Sequence, residues 1–83
     1  MERSLLTVVE MTAGQQLAFA RLDRGRSLKE IAERLQVSVA RLAAVENTDI
    51  GQLPSRSYLR DLVSEYAREV GLDPQQMEGR YLA

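Results

Sequence analysis

The stretch LKEIAERLQVSVARLAAV, residues Leu28 to Val45, decides the fold of this chain. Its first half carries small or apolar residues at i, i+3, i+4 and i+7, the inward face of a short amphipathic helix. These residues are Leu28, Ile31, Ala32 and Leu35. Its second half places Leu42 and Val45 three residues apart. Val37 lies in the turn between the two halves. Two helices that cross steeply over a short turn leave little room where they meet, and the small Ala32 suits that position. The stretch therefore predicts a helix-turn-helix.

Residues that can cap helices divide the rest of the chain into further helices. The candidate N-caps are Thr12, Ser27, Ser38, Ser55 or Ser57 after Pro54, and Asp73 before Pro74. Thr12 and Ser27 each have Gln or Glu three residues later, which is the pattern of a capping box. Gly25 and Gly71 can take the left-handed conformation that ends a helix. The predicted fold is all-α, a five-helix bundle that contains the helix-turn-helix. Only residues 5–11 are ambiguous between helix and strand.

At 83 residues, the chain is expected to form one small domain over residues 12–83, preceded by an N-terminal extension over residues 1–11. Two interpretations of the extension stay open. It is frayed, as termini usually are, or its apolar residues at 5, 6, 8 and 9 cover an exposed edge formed by Phe19 and Leu22, within one chain or across a homodimer. In the predicted loop over residues 48–54, Ile50 and Leu53 are expected to reach the core.

Composition argues against catalysis. The chain has no His and no Cys, which excludes Ser–His and Cys–His nucleophile pairs and the usual zinc sites. Its five glycines are scattered, so no phosphate-binding loop is present. No apolar run approaches the ~20 residues of a membrane helix. We therefore expect a non-catalytic, cytoplasmic domain with no metal and no cofactor.

The second helix of the motif is poorly equipped to recognise DNA. Six positions would face a major groove: Ser38, Val39, Ala40, Ala43, Ala44 and Asn47. Of these, only Asn47 can form a bidentate pair with a base. Arg41 lies nearby and counts among the DNA-contact candidates, although it is expected to point toward the first helix or solvent. The net charge of −1 supplies no basic field. Nucleic acid is not expected as a partner.

The fourth predicted helix has an unusually wide apolar face. Its members are Tyr58, Leu59, Leu62, Val63, Tyr66, Ala67 and Val70. They cover about half the circumference, wider than the usual ~100° stripe. Tyr66 and Leu59 are central and are expected in the core. Tyr58 lies at the rim, where it either covers a neighbouring segment or contacts a partner.

Several motifs together resemble the N-terminal cytoplasmic domain of the RodZ family. They are Gly14-x-x-Leu17, Ala20-Arg21, Gly25-x-Ser27-Leu28-x-x-Ile31-Ala32, Glu46, Asp49, Leu53-Pro54, Tyr58, Arg60, Tyr66-Ala67-Arg68 and Gly71-Leu72-Asp73-Pro74. The resemblance covers residues 12–82. It implies a fold similar to Cro and repressor proteins with two added C-terminal helices. It also implies a cytoplasmic domain that binds the bacterial actin MreB, in a protein that spans the membrane elsewhere.

The resemblance also implies which residues touch the actin. Two aromatic residues four apart on the fourth helix fall on Tyr58 and Leu62, of which Tyr58 keeps the aromatic ring. Asp61 replaces a usual Gly, and Arg41 stands where a Tyr is common. We therefore predict a protein-interaction module with Tyr58 and Leu62 as anchor and with Asp61 and Glu65 setting orientation. The alternative is a DNA-binding transcriptional regulator of the Cro/repressor type.

Overall fold

A computed structural model describes residues 11–83, and predictions that fall on residues 1–10, including the two interpretations of the N-terminal extension, lie outside this part. Within it, the chain forms five α-helices and a 3-10 turn. The helices are α1 (Ala13–Asp23), α2 (Leu28–Leu35), α3 (Val39–Asn47), α4 (Arg56–Glu69) and α5 (Pro74–Leu82), and the turn is Ile50–Gln52. No strand occurs between residues 11 and 83. The predicted all-α fold with five helices is confirmed.

The helix-turn-helix of α2 and α3 packs on one shared core. Ile31, Ala32, Leu42 and Val45 are buried, as the spacing of apolar residues predicts. The turn between the helices begins at Gln36, which is left-handed with φ 59°, and Val37 packs against the core. Full burial of one such aliphatic side chain contributes about 1.5–3 kcal/mol to folding. The core face of the motif therefore supplies much of the stability of this small domain.

Helix starts follow the predicted caps with two differences. Ser55 occupies the N-cap position of α4, but its side chain makes no capping hydrogen bond. The other difference lies at the second capping box. Thr12 Oγ1 accepts from the Gln15 N–H at 3.0 Å, and Gln15 Oε1 accepts from the Thr12 N–H at 2.9 Å, which completes the first capping box. Ser27 Oγ accepts from the Glu30 N–H at 3.0 Å. The Glu30 carboxylate, however, pairs with Arg26 at 3.4 Å. The second capping box is therefore only half formed, because Ser27 caps the helix but the Glu30 side chain does not bond back to the Ser27 N–H.

α4 packs against α5 along most of the shorter helix and also contacts α2 of the motif. The inner side of α4 is buried, including Leu59 and Tyr66 as predicted. Asp73 Oδ1 caps α5 by accepting from the Gln75 N–H at 3.0 Å, and Pro74 is the first helical residue. This packing holds α4 so that one edge of it stays in solvent.

The loop before α4 differs from the prediction. Leu53 packs against the core, but Ile50 is 76% exposed, so the expected burial of Ile50 is wrong. The 3-10 turn is closed by the Leu53 N–H, which donates to the Ile50 carbonyl at 3.4 Å. Because the turn is tight, the Leu53 side chain reaches the core and the Ile50 side chain does not.

Candidate functional site

The exposed edge of α4 begins at Tyr58, whose side chain is held by a cation from α3. Tyr58 is 40% exposed. The Arg41 guanidinium carbon lies 5.3 Å from the centroid of its ring. A guanidinium within about 6 Å of an aromatic ring gains about 0.5–1 kcal/mol at an exposed site. Arg41 therefore restrains a large amphipathic side chain that remains accessible.

Two acidic residues extend this edge along α4. Asp61 and Glu65 follow Tyr58 at i+3 and i+7, the spacing of neighbours on one helix face, and both are exposed. We call the group of Arg41, Tyr58, Asp61 and Glu65 the Tyr58 face. The structure thus brings three of the four predicted partner contacts to one surface. It adds Arg41, which the sequence does not connect with Tyr58 because the two are 17 positions apart.

Leu62 does not belong to this surface. Its side chain is only 2% exposed and lies in the core. The prediction that Leu62 contacts a partner is therefore wrong for this conformation, because exposing it would require α4 to leave the core. Leu62 instead helps to hold α4 on the core.

The next turns of α4 carry a charged network with α2. Arg34 Nη2 lies 3.2 Å from Glu69 Oε2, and Arg26 Nη1 lies 3.1 Å from Glu69 Oε1. The hydrogen bond from Arg34, with that from Arg26, holds the pKa of the Glu69 carboxyl below its usual range. Glu69 stays ionised and ties the end of α4 to Arg34 of α2 and to Arg26 in the connection before α2.

A buried polar network joins α1, α3 and α4 behind this face. Arg21 Nε donates to Glu46 Oε2 at 2.8 Å, and Arg21 Nη2 donates to Glu46 Oε1 at 3.2 Å. The Tyr66 hydroxyl also donates to Glu46 Oε2. Burial is the main cause that raises the pKa of Tyr66, so the hydroxyl remains a donor. Among residues 11–83, every buried side-chain polar atom has a partner, as expected of a structural network.

The predicted DNA-contact residues do not form one continuous surface. Four of them are exposed, namely Ser38, Val39, Ala40 and Asn47, and Ala43 is half-buried. Ala44 is only 5% exposed, so it cannot contact a DNA groove. The expectation for Ala44 is therefore wrong. The expected direction of Arg41 is also wrong, because it lies over the Tyr58 ring on α4. A small cleft of about 130 Å³ lined by Ser38, Ala40, Arg41 and Gln52 adjoins it.

The Tyr58 face combines an exposed aromatic ring with two exposed carboxylates. Among residues 11–83, no group of three or more acidic side chains is arranged to hold a metal ion. Across the same residues, no helix has the length and apolar character needed to cross a membrane.

Comparisons with known proteins place the fold in a family. The model of a family described as a helix-turn-helix domain matches residues 16–77. The cytoskeleton protein RodZ of Streptococcus pneumoniae (strain ATCC BAA-255 / R6) is 39% identical over 64 residues, which cover 77% of this chain and 23% of that protein. The chain thus spans about a quarter of the length of this relative. No solved structure matches the chain significantly. The chain belongs to the helix-turn-helix domain family and is a homologue of the RodZ helix-turn-helix domain.

Proposed function

We propose that this domain is a non-catalytic interaction module that binds a bacterial actin of the MreB type through the Tyr58 face. The RodZ resemblance implies this partner, and the related pneumococcal protein is named as a cytoskeleton protein. The observation that carries the proposal is Tyr58, a large aromatic side chain that is 40% exposed and held in place by Arg41.

The physics of interfaces supports Tyr58 as the anchor. Aromatic and Arg side chains dominate binding hot spots, because they bury large areas on association. Immobilising a flexible side chain at an interface costs about 0.5–1.5 kcal/mol. The contact with Arg41 already restrains the Tyr58 ring, so part of this cost is met before binding.

The acidic residues of the Tyr58 face have a different role. Asp61 and Glu65 are exposed, so their charges are screened and contribute little to affinity by themselves. Charges at the rim of an interface mainly affect the encounter rate and reject wrong partners. We infer that these carboxylates orient the domain on a basic patch of the actin. Leu62 contributes indirectly, by holding α4 on the core.

The same resemblance suggests how the domain would act within a larger protein. An interaction module of the RodZ type would act as an adaptor, the cytoplasmic part of a protein anchored in the membrane elsewhere. The described residues supply the contact surface and a rigid scaffold for it.

The test is binding of the wild-type chain and of Tyr58→Ala to purified MreB filaments, measured by co-sedimentation. We expect the substitution to weaken binding by about 2 kcal/mol, roughly 30-fold, as for a hot-spot residue. The matched control is Arg60→Ala, an exposed residue two positions along the same helix and outside the Tyr58 face. It should bind as the wild type does.

Circular dichroism of each variant verifies that α4 remains folded. Tyr58→Phe keeps the ring beneath Arg41 and should retain most of the affinity. Equal binding by wild type and Tyr58→Ala would exclude the Tyr58 face as the contact site. A wild-type domain that does not bind the filaments would exclude the actin as partner.

A further inference from the structure

Arg41 gives the Tyr58 face a positive charge that is not paired with any carboxylate between residues 11 and 83. The ion pairs in this part of the chain all use other arginines. The Arg41 backbone N–H donates to Ser38 Oγ at 3.0 Å, whereas its side chain donates no hydrogen bond to a described residue. The half-buried guanidinium therefore keeps N–H donors that no described residue uses.

The contact with Tyr58 holds these donors in place without using them. The guanidinium carbon lies 5.3 Å from the centroid of the Tyr58 ring. A cation–π contact is an attraction between the charge and the electrons of the ring. A carboxylate, in contrast, accepts directly from the N–H groups at the edge of the guanidinium. Arg41 can therefore stay on the ring and still bond to a carboxylate from outside the domain.

A small polar cleft lies beside the Arg41 side chain. It is lined by Ser38, Ala40, Arg41 and Gln52, and its volume is about 130 Å³. This volume is well below the ~300–1,000 Å³ typical of small-molecule pockets, so the cleft suits the end of one side chain. The Ser38 hydroxyl and the Gln52 amide add groups that can bond to a polar occupant. With Arg41 as its charged wall, the cleft favours an anionic side chain over an apolar one.

The other charges of the Tyr58 face restrict what kind of molecule can bring that anion. Along α4, the face runs from the cation at Tyr58 to Asp61 about one turn later and Glu65 about two turns later. A polyanion such as a nucleic acid would place like charges against these two carboxylates, which costs affinity. A protein surface can carry an acidic side chain next to basic ones. Charge complementarity therefore favours a protein with both signs at its contact surface.

We propose that the cleft beside Arg41 takes the carboxylate of an Asp or Glu side chain of the protein that binds the Tyr58 face. This inference rests on the proposed function and adds the charge pattern of the partner. The partner has an acidic residue at Arg41, an apolar contact for Tyr58 and a basic patch at Asp61 and Glu65. Pairs of Arg with a carboxylate are frequently bidentate, so this contact fixes orientation as well as adding affinity.

Arg41→Met separates recognition of a carboxylate from support of the Tyr58 ring. A Met side chain can still pack on an aromatic ring, but it has neither the charge nor the N–H donors. We expect Arg41→Met to bind MreB filaments about tenfold more weakly in co-sedimentation. Arg41→Glu should bind at least about 100-fold more weakly, because two carboxylates would face each other. The matched control is Arg60→Met, the same change at an exposed residue outside the Tyr58 face, which should bind as the wild type does.

The filament experiment distinguishes this inference from the proposed function. If Tyr58→Ala weakens binding but Arg41→Met binds as the wild type does, the Tyr58 face remains the contact site and the carboxylate contact is excluded. Circular dichroism of each variant shows whether the helices are intact. If the wild type does not bind the filaments, the actin is excluded as partner, and a peptide titration decides the present inference.

The probe for this titration is a blocked Glu-Glu-Leu-Leu-Lys-Lys peptide, which carries both signs of charge. The Nε–H signals of the arginines are followed by nuclear magnetic resonance in the full chain. We expect the Arg41 signal to shift until it saturates, while the Arg60 signal stays in place. The same peptide with Gln in place of Glu should leave both signals unchanged. An Arg41 signal that does not respond to the Glu peptide would overturn the inference.

Discussion

At the scale of single residues, Glu46 has the largest consequences for stability. It receives two bonds from Arg21 and one from Tyr66, and the two charged partners are each about 10% exposed. Removing one partner of a buried ion pair costs about 3–5 kcal/mol, since the other charge remains without its counter-charge. Glu46 thus links three helices through one carboxylate.

We expect Glu46→Gln to lower the free energy of unfolding by about 3 kcal/mol, near the lower end of that range because Arg21 keeps its bond to the Arg26 carbonyl. Tyr66→Phe removes only one hydroxyl bond to the carboxylate and should cost about 1.5–3 kcal/mol. Urea unfolding followed by circular dichroism measures both. A Glu46→Gln variant as stable as the wild type would show that the pair contributes nothing net.

At the scale of helices, α1 and α3 approach each other closely enough to exclude a side chain. A Cβ added to Gly14 would lie 2.5 Å from the carbonyl oxygens of Val45 and Glu46. Backbone oxygens cannot move without shifting α3. The Tyr81 hydroxyl of α5 also donates to the Val45 carbonyl at 2.6 Å, so α5 is bonded to α3 at the same place. Glycine at position 14 is therefore a packing requirement.

We expect Gly14→Ala to destabilise the domain by about 1–3 kcal/mol, the usual cost of overpacking, although Ala is the better helix former. The matched control is Gly79→Ala in α5, where an added Cβ meets nothing within 4 Å. This change should stabilise the domain by about 0.5–1 kcal/mol through helix propensity. Thermal unfolding compares the two. The two substitutions should change the stability in opposite directions. A Gly14→Ala variant more stable than the wild type would contradict the close approach of α1 and α3.

The helices also show what the sequence can and cannot predict. Caps such as Thr12 and Asp73, and the inward stripe of α2, are local patterns, so they can be predicted correctly. The Arg41–Tyr58 contact joins residues on different helices, so the spacing of residues in the sequence does not predict it. The burial of Leu62 agrees with its place on the apolar face of the fourth helix, whereas its role as a partner contact comes from the resemblance and not from the helical pattern.

At the scale of the whole molecule, several of the basic residues are committed to contacts within the domain. Arg21 is paired with Glu46, Arg26 and Arg34 bond to Glu69, and Arg41 lies over Tyr58. Phosphate binding needs cations that are free to displace condensed counterions. With a net charge of −1, the chain offers no general attraction for nucleic acid.

We therefore expect no sequence-specific binding of duplex DNA by this domain. The exposed positions of α3 and its cap include Ser38, Val39, Ala40 and Asn47, and only Asn47 can form a bidentate pair with a base. Residual affinity from phosphate contacts should disappear between about 50 and 200 mM salt. Fluorescence anisotropy on a random duplex library measures this, with Asn47→Ala as the variant that should behave as the wild type does. Submicromolar, sequence-dependent binding at about 150 mM salt, lost in Asn47→Ala, would instead establish α3 as a recognition helix.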